Sequence, residues 1–279
     1  MVSEVIAESQ PAAPVKDAST VVLVRDGAHG PEVFLQRRVG SMAFAAGMTV
    51  FPGGGVDPSD AAVALDWAGP EPAWWAARFG GIDAGRAQAL VCAAVRETFE
   101  ECGVLLAGPT ADTVVSDTAV YAEARAQLER RELSFAEFLT RERLVLRADL
   151  LRPWDNWITP VVEPRRYDTR FFVAVLPRGQ RADGATSEAE IVTWCTPAEA
   201  IARWHEGLDV LLPPTWTQLT ALREFASTAE IFAAERAIEP IMPVYDPSGG
   251  GPALAFPHAD RYFAELPEKS RIRGSQRPE

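Results

Sequence analysis

Arg96-Glu97-Thr98-Phe99-Glu100-Glu101-Cys102-Gly103-Val104 (RETFEECGV) closes a helical pattern that runs unbroken from about Ala84. Gly103 stands just past the last periodic residue, where a left-handed C-terminal cap belongs. At about 100° per residue, Glu97, Glu100 and Glu101 share an arc of roughly 100°. Val91, Val95, Thr98, Phe99 and Cys102 take the opposite arc and suit a buried face. Carboxylates at i, i+3 and i+4 repel one another by roughly a few tenths of a kcal/mol per pair. They also sit where the helix macrodipole is already negative. Helix stability does not explain such a cluster. A hard divalent cation, Mg²⁺ or Mn²⁺, does, because it prefers carboxylate oxygens.

An isolated E-x-x-E-E is more often a solvated face, here with Arg96 paired to Glu100 at i, i+4. The surroundings reverse that reading. Phe51-Pro52-Gly53-Gly54-Gly55 precedes the helix, and a glycine run lets backbone groups approach an ion or phosphate closely. Together these segments resemble the Nudix hydrolase family, whose box reads G-x5-E-x7-R-E-U-x-E-E-x-G-U, with U a bulky apolar residue. The resemblance implies an α/β fold of the α+β type, a mixed sheet sandwiched between helices. It also implies metal-dependent cleavage of a nucleoside diphosphate linked to another moiety. By position, Gly54 offers a carbonyl to metal, Arg96 orients Glu97, and Glu97, Glu100 and Glu101 bind metal.

Two features depart from the box. Position U is Thr98, and the first acid falls on Asp60 counted from Gly54 or on Gln88 counted back from Arg96. Between Asp60 and Arg96 lie 35 residues where the pattern has seven. An interrupted box resembles the branch that includes the peroxisomal coenzyme A diphosphatases. Leu35-Gln36-Arg37-Arg38 ahead of the glycines resembles that branch too. So do Asn156-Trp157-Ile158-Thr159-Pro160 and Pro164-Arg165-Arg166-Tyr167-Asp168-Thr169-Arg170. The resemblance therefore implies coenzyme A or acyl-coenzyme A as substrate, a small nucleotide conjugate. An ADP-ribose or NADH pyrophosphatase and a non-catalytic nucleotide sensor are the rivals. Family members also use an acid from a later loop as base or extra ligand, and Glu188 is preferred here over Glu190. Arg38, Arg165, Arg166 and Arg170 are the candidate substrate-binding cations, with Arg37 and Arg38 on opposite faces of a strand. Trp154 and Trp157 could stack on a base, although a core role is commoner for tryptophan.

The chain has 279 residues and a net charge of −12. The acidic balance argues against nucleic-acid and anionic-membrane binding, which need a basic footprint. No apolar run approaches the roughly 18 to 20 residues of a bilayer span, and Met1 to Thr20 does not read as a secretory signal. Three cysteines are too few for a disulfide framework, which points to a reducing cytoplasm. His29, His205 and His258 show no zinc-ligand spacing. Residues 1–18 read as a disordered tail and 19–242 as one catalytic domain. Helical insertions are expected at about 61–88 and 108–150, and residues 243–279 read as an extension outside the core. The resemblance also allows a homodimer. The final Arg277-Pro278-Glu279 is not a peroxisomal address.

Short β-rich runs are predicted at 19–25, 32–37, 104–107, 156–162, 169–176 and 190–195. Thr196-Pro197-Ala198-Glu199 reads as a helix start, with Thr196 as cap, Pro197 at N1 and Glu199 at N3.

Overall fold

The computed structural model describes residues 12–40, 45–61, 65–245 and 254–267. The chain opens with β1 (Val15–Gly27), β2 (Gly30–Arg38), β3 (Thr49–Val50) and β4 (Gly53–Gly55). A 3-10 turn over Pro58–Ala61 leads to β5 (Trp67–Ala68), α1 (Pro72–Arg78) and α2 (Ala84–Cys102). Next come β6 (Ala107–Gly108), α3 (Ala122–Glu129), α4 (Phe135–Glu142) and β7 (Val145–Arg147). They are followed by β8 (Leu151–Ile158), β9 (Arg166–Val175), β10 (Ala189–Cys195) and α5 (Pro197–His205). The C-terminal part holds α6 (Pro213–Leu222), α7 (Thr228–Ala233), β11 (Val244–Tyr245), β12 (Leu254–Ala255) and α8 (Ala259–Glu265).

A seven-stranded mixed sheet in the order β10-β2-β1-β9-β8 organises these elements, with β3 added to β2 and β4 to β1. The hairpin β1–β2 is antiparallel, whereas β9 runs parallel to β1 from Val15↔Arg166 to Val24↔Val175. The run Val21-Val22-Leu23-Val24 is wholly buried, as a central strand covered on both faces requires. Alternation divides it. Val21 and Leu23 join Phe172, Leu90, Val95 and Phe99 on the α2 face. Val22 and Val24 join Phe171, Val173, Trp204 and Trp216 on the α5–α6 face. The sheet is thus sandwiched between helical layers, as expected.

Several boundaries differ from the sequence reading. Residues 15–18, expected in a tail, belong to β1, which begins at Val15 and pairs with β9; residues 1–11 lie outside the described residues. The expected strand at 104–107 is displaced to β6. The first insertion stops short of residue 88, since α2 already starts at Ala84, where Asp83 accepts a bond from the Arg86 amide. The two insertions meet in a three-stranded sheet, β5-β7-β6, which no local pattern foretold. The extension is part of the core at α8: Tyr262 is buried, donates to the Leu211 carbonyl at 2.8 Å and stacks on Trp204. Residues 246–253 and 268–279 of that extension lie outside the described residues. Among the described residues, no helix is long and apolar enough to cross a membrane.

Candidate active site

The glycine run and the carboxylate helix meet because both lean on β1. Gly53, Gly54 and Gly55 pair with Thr20, Ser19 and Ala18, and the Ser19 hydroxyl donates to the Leu90 carbonyl of α2 at 2.6 Å. Gly53 has φ +154°, and a Cβ there would lie 2.3 Å from the Ser19 oxygen. At Gly54 a Cβ would lie 2.5 Å from the Glu97 Oε1. Any side chain at either position would push the strand or the carboxylate away. Gly103 ends α2 at φ 72°, its amide donating to Phe99.

Arg96 is the hub. Its guanidinium forks onto Asp60 with two 2.9 Å bonds and reaches Glu97 at 2.8 Å, Glu100 at 3.3 Å and the Gly55 carbonyl at 2.9 Å. Asp60, itself buried, therefore serves the arginine across the insertion. Gln88 lies two helical turns away on α2. Burial alone would lower the Arg96 pKa, but the charge on Glu97 and the bonds to Asp60 outweigh it and hold it above its ordinary value.

The carboxylates behave oppositely. Burial pushes Glu97 up to about 7 against the pull of Arg96, with the charges of Glu100 and Glu188 adding to the effect. Glu101 is pushed well above its ordinary value by burial and by the charges of Glu97 and Glu188, although the Gly53 amide donates to it at 2.8 Å. Burial also raises Glu100. Acids that bind protons because they are buried beside like charges form a site where a cation would replace the proton. Among the described residues, no three His, Cys, Asp or Glu side chains already converge as a ligand cluster. Arg96 holds an oxygen of Glu97, and the Gln36 amide holds one of Glu101 at 2.5 Å. The donors are nonetheless all hard oxygens, and with the adjacent Gly54 carbonyl they fit a divalent cation.

Glu97, Glu101 and Gly54 open into a cleft of about 770 Å³ that also takes in Arg38, Arg165 and Glu188. Arg38 pairs with Glu188 at 3.0 Å, while Arg37 turns to Asp209 at 2.9 Å, as strand alternation predicts. A register shift between Ala189 and Ile191 leaves the exposed Glu190 out of the cleft. Glu100 also lies outside the cleft lining, held on Arg96.

Arg166 and Arg170 are a correction. In β9 the cleft receives Tyr167, Thr169 and Phe171, so residues 166, 168 and 170 face away from it. Arg166 donates to the carbonyls of Thr159 and Ala13, each at 3.2 Å. Arg170 is bound to Asp168, which also takes Arg86 at 3.0 Å and the Asn156 amide at 2.6 Å. Of the tryptophans, Trp154 is fully buried and Trp157 borders the cleft from the core.

Two residues were missed by sequence reasoning. Gln36 is buried and positions Glu101; the polar position within the otherwise apolar run Val33-Phe34-Leu35 was the available signal. Glu129 of α3 accepts from the Ser187 amide and hydroxyl, both at 2.7 Å, and so anchors the loop that carries Glu188. No local pattern could reveal that contact.

Residues 82–222 match the family described as NUDT19 Nudix domain. The chain is 27% identical over 273 residues to acyl-coenzyme A diphosphatase NUDT19 of Xenopus laevis, spanning 83% of this chain and 71% of that protein. It is 31% identical to acyl-coenzyme A diphosphatase NUDT19 of Gallus gallus over 169 residues, 53% of this chain and 44% of that protein. The crystal structure of a Nudix hydrolase from Alicyclobacillus acidocaldarius superposes with a TM-score of 0.65 at 26% identity, covering 81% of this chain and 98% of that one. With its split box gathered on Arg96 and half its length matched, the chain belongs to the NUDT19 Nudix domain family of Nudix hydrolases.

Proposed function

We propose that the protein hydrolyses the pyrophosphate linkage of coenzyme A or an acyl-coenzyme A, using Mg²⁺ or Mn²⁺. The observation that carries this reading is the cleft's two-part lining. One part holds Gly54, Glu97, Glu101, Glu188 and Arg38, and the other is apolar, with Met48, Phe51, Trp157, Phe171 and Leu212. A diphosphate whose far end carries an acyl chain matches that division. The relatives named as acyl-coenzyme A diphosphatases support the same substrate.

The Gly54 carbonyl, Glu97 and Glu101 would hold the cation, which when bound neutralises the diphosphate and acidifies a water. Arg96, saturated by Asp60, Glu97, Glu100 and Gly55, keeps Glu97 aimed at the glycine turn. Glu188 accepts the proton of the attacking water as the phosphorus–oxygen bond of the anhydride breaks, and Arg38 holds Glu188 in place. Arg165, exposed at the cleft, receives the outer phosphates. Glu100 acts on Arg96 rather than on substrate. The sensor reading loses its main support, because Asp60 does the work of the altered first acid. Buried free thiols at Cys92, Cys102 and Cys195 suit a reducing compartment such as the cytoplasm.

The test is turnover of coenzyme A, acyl-coenzyme A, ADP-ribose, NADH and dinucleoside polyphosphates with each metal. The highest kcat/KM is expected for coenzyme A or an acyl-coenzyme A. A preference for ADP-ribose or NADH would overturn the substrate, and binding without turnover would overturn the enzyme.

A further inference from the structure

A second groove of about 880 Å³ opens between α1, β8, the end of β9 and α7, and shares no lining residue with the cleft. Its charges are unusual for this acidic chain. Many part-buried arginines elsewhere bind carboxylates, as in Arg37–Asp209, Arg86–Asp17, Arg125–Asp183 and Arg147–Asp149, with Arg166 on backbone carbonyls as an exception. Among the described residues, the two arginines of the groove have no such partner. Arg78 gives one nitrogen to the Arg236 carbonyl at 3.0 Å, and its buried Nε has no partner. Among the described residues, Arg152 bonds to the carbonyls of Asp149 and Leu151 alone, and it lies 3.9 Å above the Phe232 ring. Burial lowers the Arg152 pKa, and the charge of Asp149 offsets this only in part.

The acids nearby do not resolve this. Asp149 faces the groove, but both of its oxygens are bound by Arg147 at 2.8 and 2.7 Å. Glu235 is in the lining, exposed and without an ion pair among the described residues. Trp74 adds a flat surface: it is 42% exposed, set edge-to-face on the buried Trp75 at 5.0 Å, with Arg78 at 5.7 Å. Unpaired guanidiniums recognise phosphate through their planar forks. An exposed indole beside them recognises a flat ring.

We propose that this groove is a second ligand site, for a nucleoside monophosphate, with Trp74 stacking the base and Arg78 and Arg152 binding the phosphate. The site is independent of what the cleft hydrolyses.

Adenosine monophosphate is the probe, titrated calorimetrically into the full chain, wild type and variants, at low ionic strength without added metal. Trp74→Ala and Arg152→Gln should each weaken this binding at least about tenfold while turnover in the cleft is unchanged. Inorganic phosphate should compete for the wild-type site. Because Trp74 is exposed, Trp74→Ala keeps the test valid should Arg152→Gln fail to fold. Absence of binding to wild type at millimolar probe would overturn the proposal. So would binding that survives Trp74→Ala but disappears in the cleft variant Arg38→Gln.

Discussion

Two buried arginine–carboxylate networks flank the N-terminal part of β1, and they are built of the same parts. In one, Arg96 binds Asp60, Glu97, Glu100 and the Gly55 carbonyl. In the other, Asp168 gathers Arg170, Arg86 and Asn156, and Arg86 also binds Asp17. Only the first borders the cleft, through Glu97. The second fastens β9 to β1 and α2 and presents no group to substrate. A buried ion pair is therefore no evidence of catalysis by itself; what matters is whether a polar group beside it is left facing open space. Glu97 and Glu101 are such groups, raised by burial and neighbouring charge.

Substitutions that remove a cleft carboxylate should separate the networks most sharply. Glu101→Gln should lower turnover at least about 100-fold, the scale on which metal ligation and its supports act, while circular dichroism and melting temperature stay near wild type. A near-normal rate would remove the proposed cation site. Next in size, Asp168→Asn should destabilise by about 3–5 kcal/mol in urea unfolding, because it strands the buried Arg170 guanidinium. Asp60→Asn should cost less, because Arg96 keeps Glu97 and Glu100. Only Asp60→Asn should also slow the folded enzyme. Equal kinetic losses in both variants would erase the distinction.

Gln36→Leu should weaken Mn²⁺ binding about 10- to 100-fold, read by calorimetry, because Glu101 loses its positioning donor. A smaller effect is expected at β9. Arg165→Ala should raise KM several-fold with little change in kcat, whereas Arg166→Ala should alter stability and leave KM alone. The reverse result would mean that β9 sits in the other register.

The smallest effect concerns pH. With Glu97 raised from 4.5 to about 7, the metal-free native state holds a proton that the unfolded chain has released. Stability should therefore fall as pH rises from about 4.5 to about 7. Added divalent cation should restore more melting temperature at the upper end of that range than at the lower. A metal increment independent of pH would contradict the shift.

Much of this was readable locally. The span of α2, its Gly103 cap and the capping box at Thr196 follow from neighbours within four residues, and the structure reproduces each. The β-rich runs at 19–25 and 32–37 were equally local, and the structure pairs them as the antiparallel β1 and β2. Less legible was the approach to β9, where three arginines look alike in sequence. Arg165 precedes the strand at the cleft, while Arg166 and Arg170 lie in it and face away.

From sequence alone came the carboxylate helix, the glycine turn and the inference of a cation, because helix periodicity, capping and glycine's freedom are short-range physics. Tertiary structure decided which acid serves Arg96, resolving Asp60 over Gln88 across the insertion. It also decided that Gln36 and Glu129 hold the site in shape and that α8 belongs to the core. Those contacts join residues tens of positions apart, and their existence depends on sheet register and helix docking. No window of sequence contains that information.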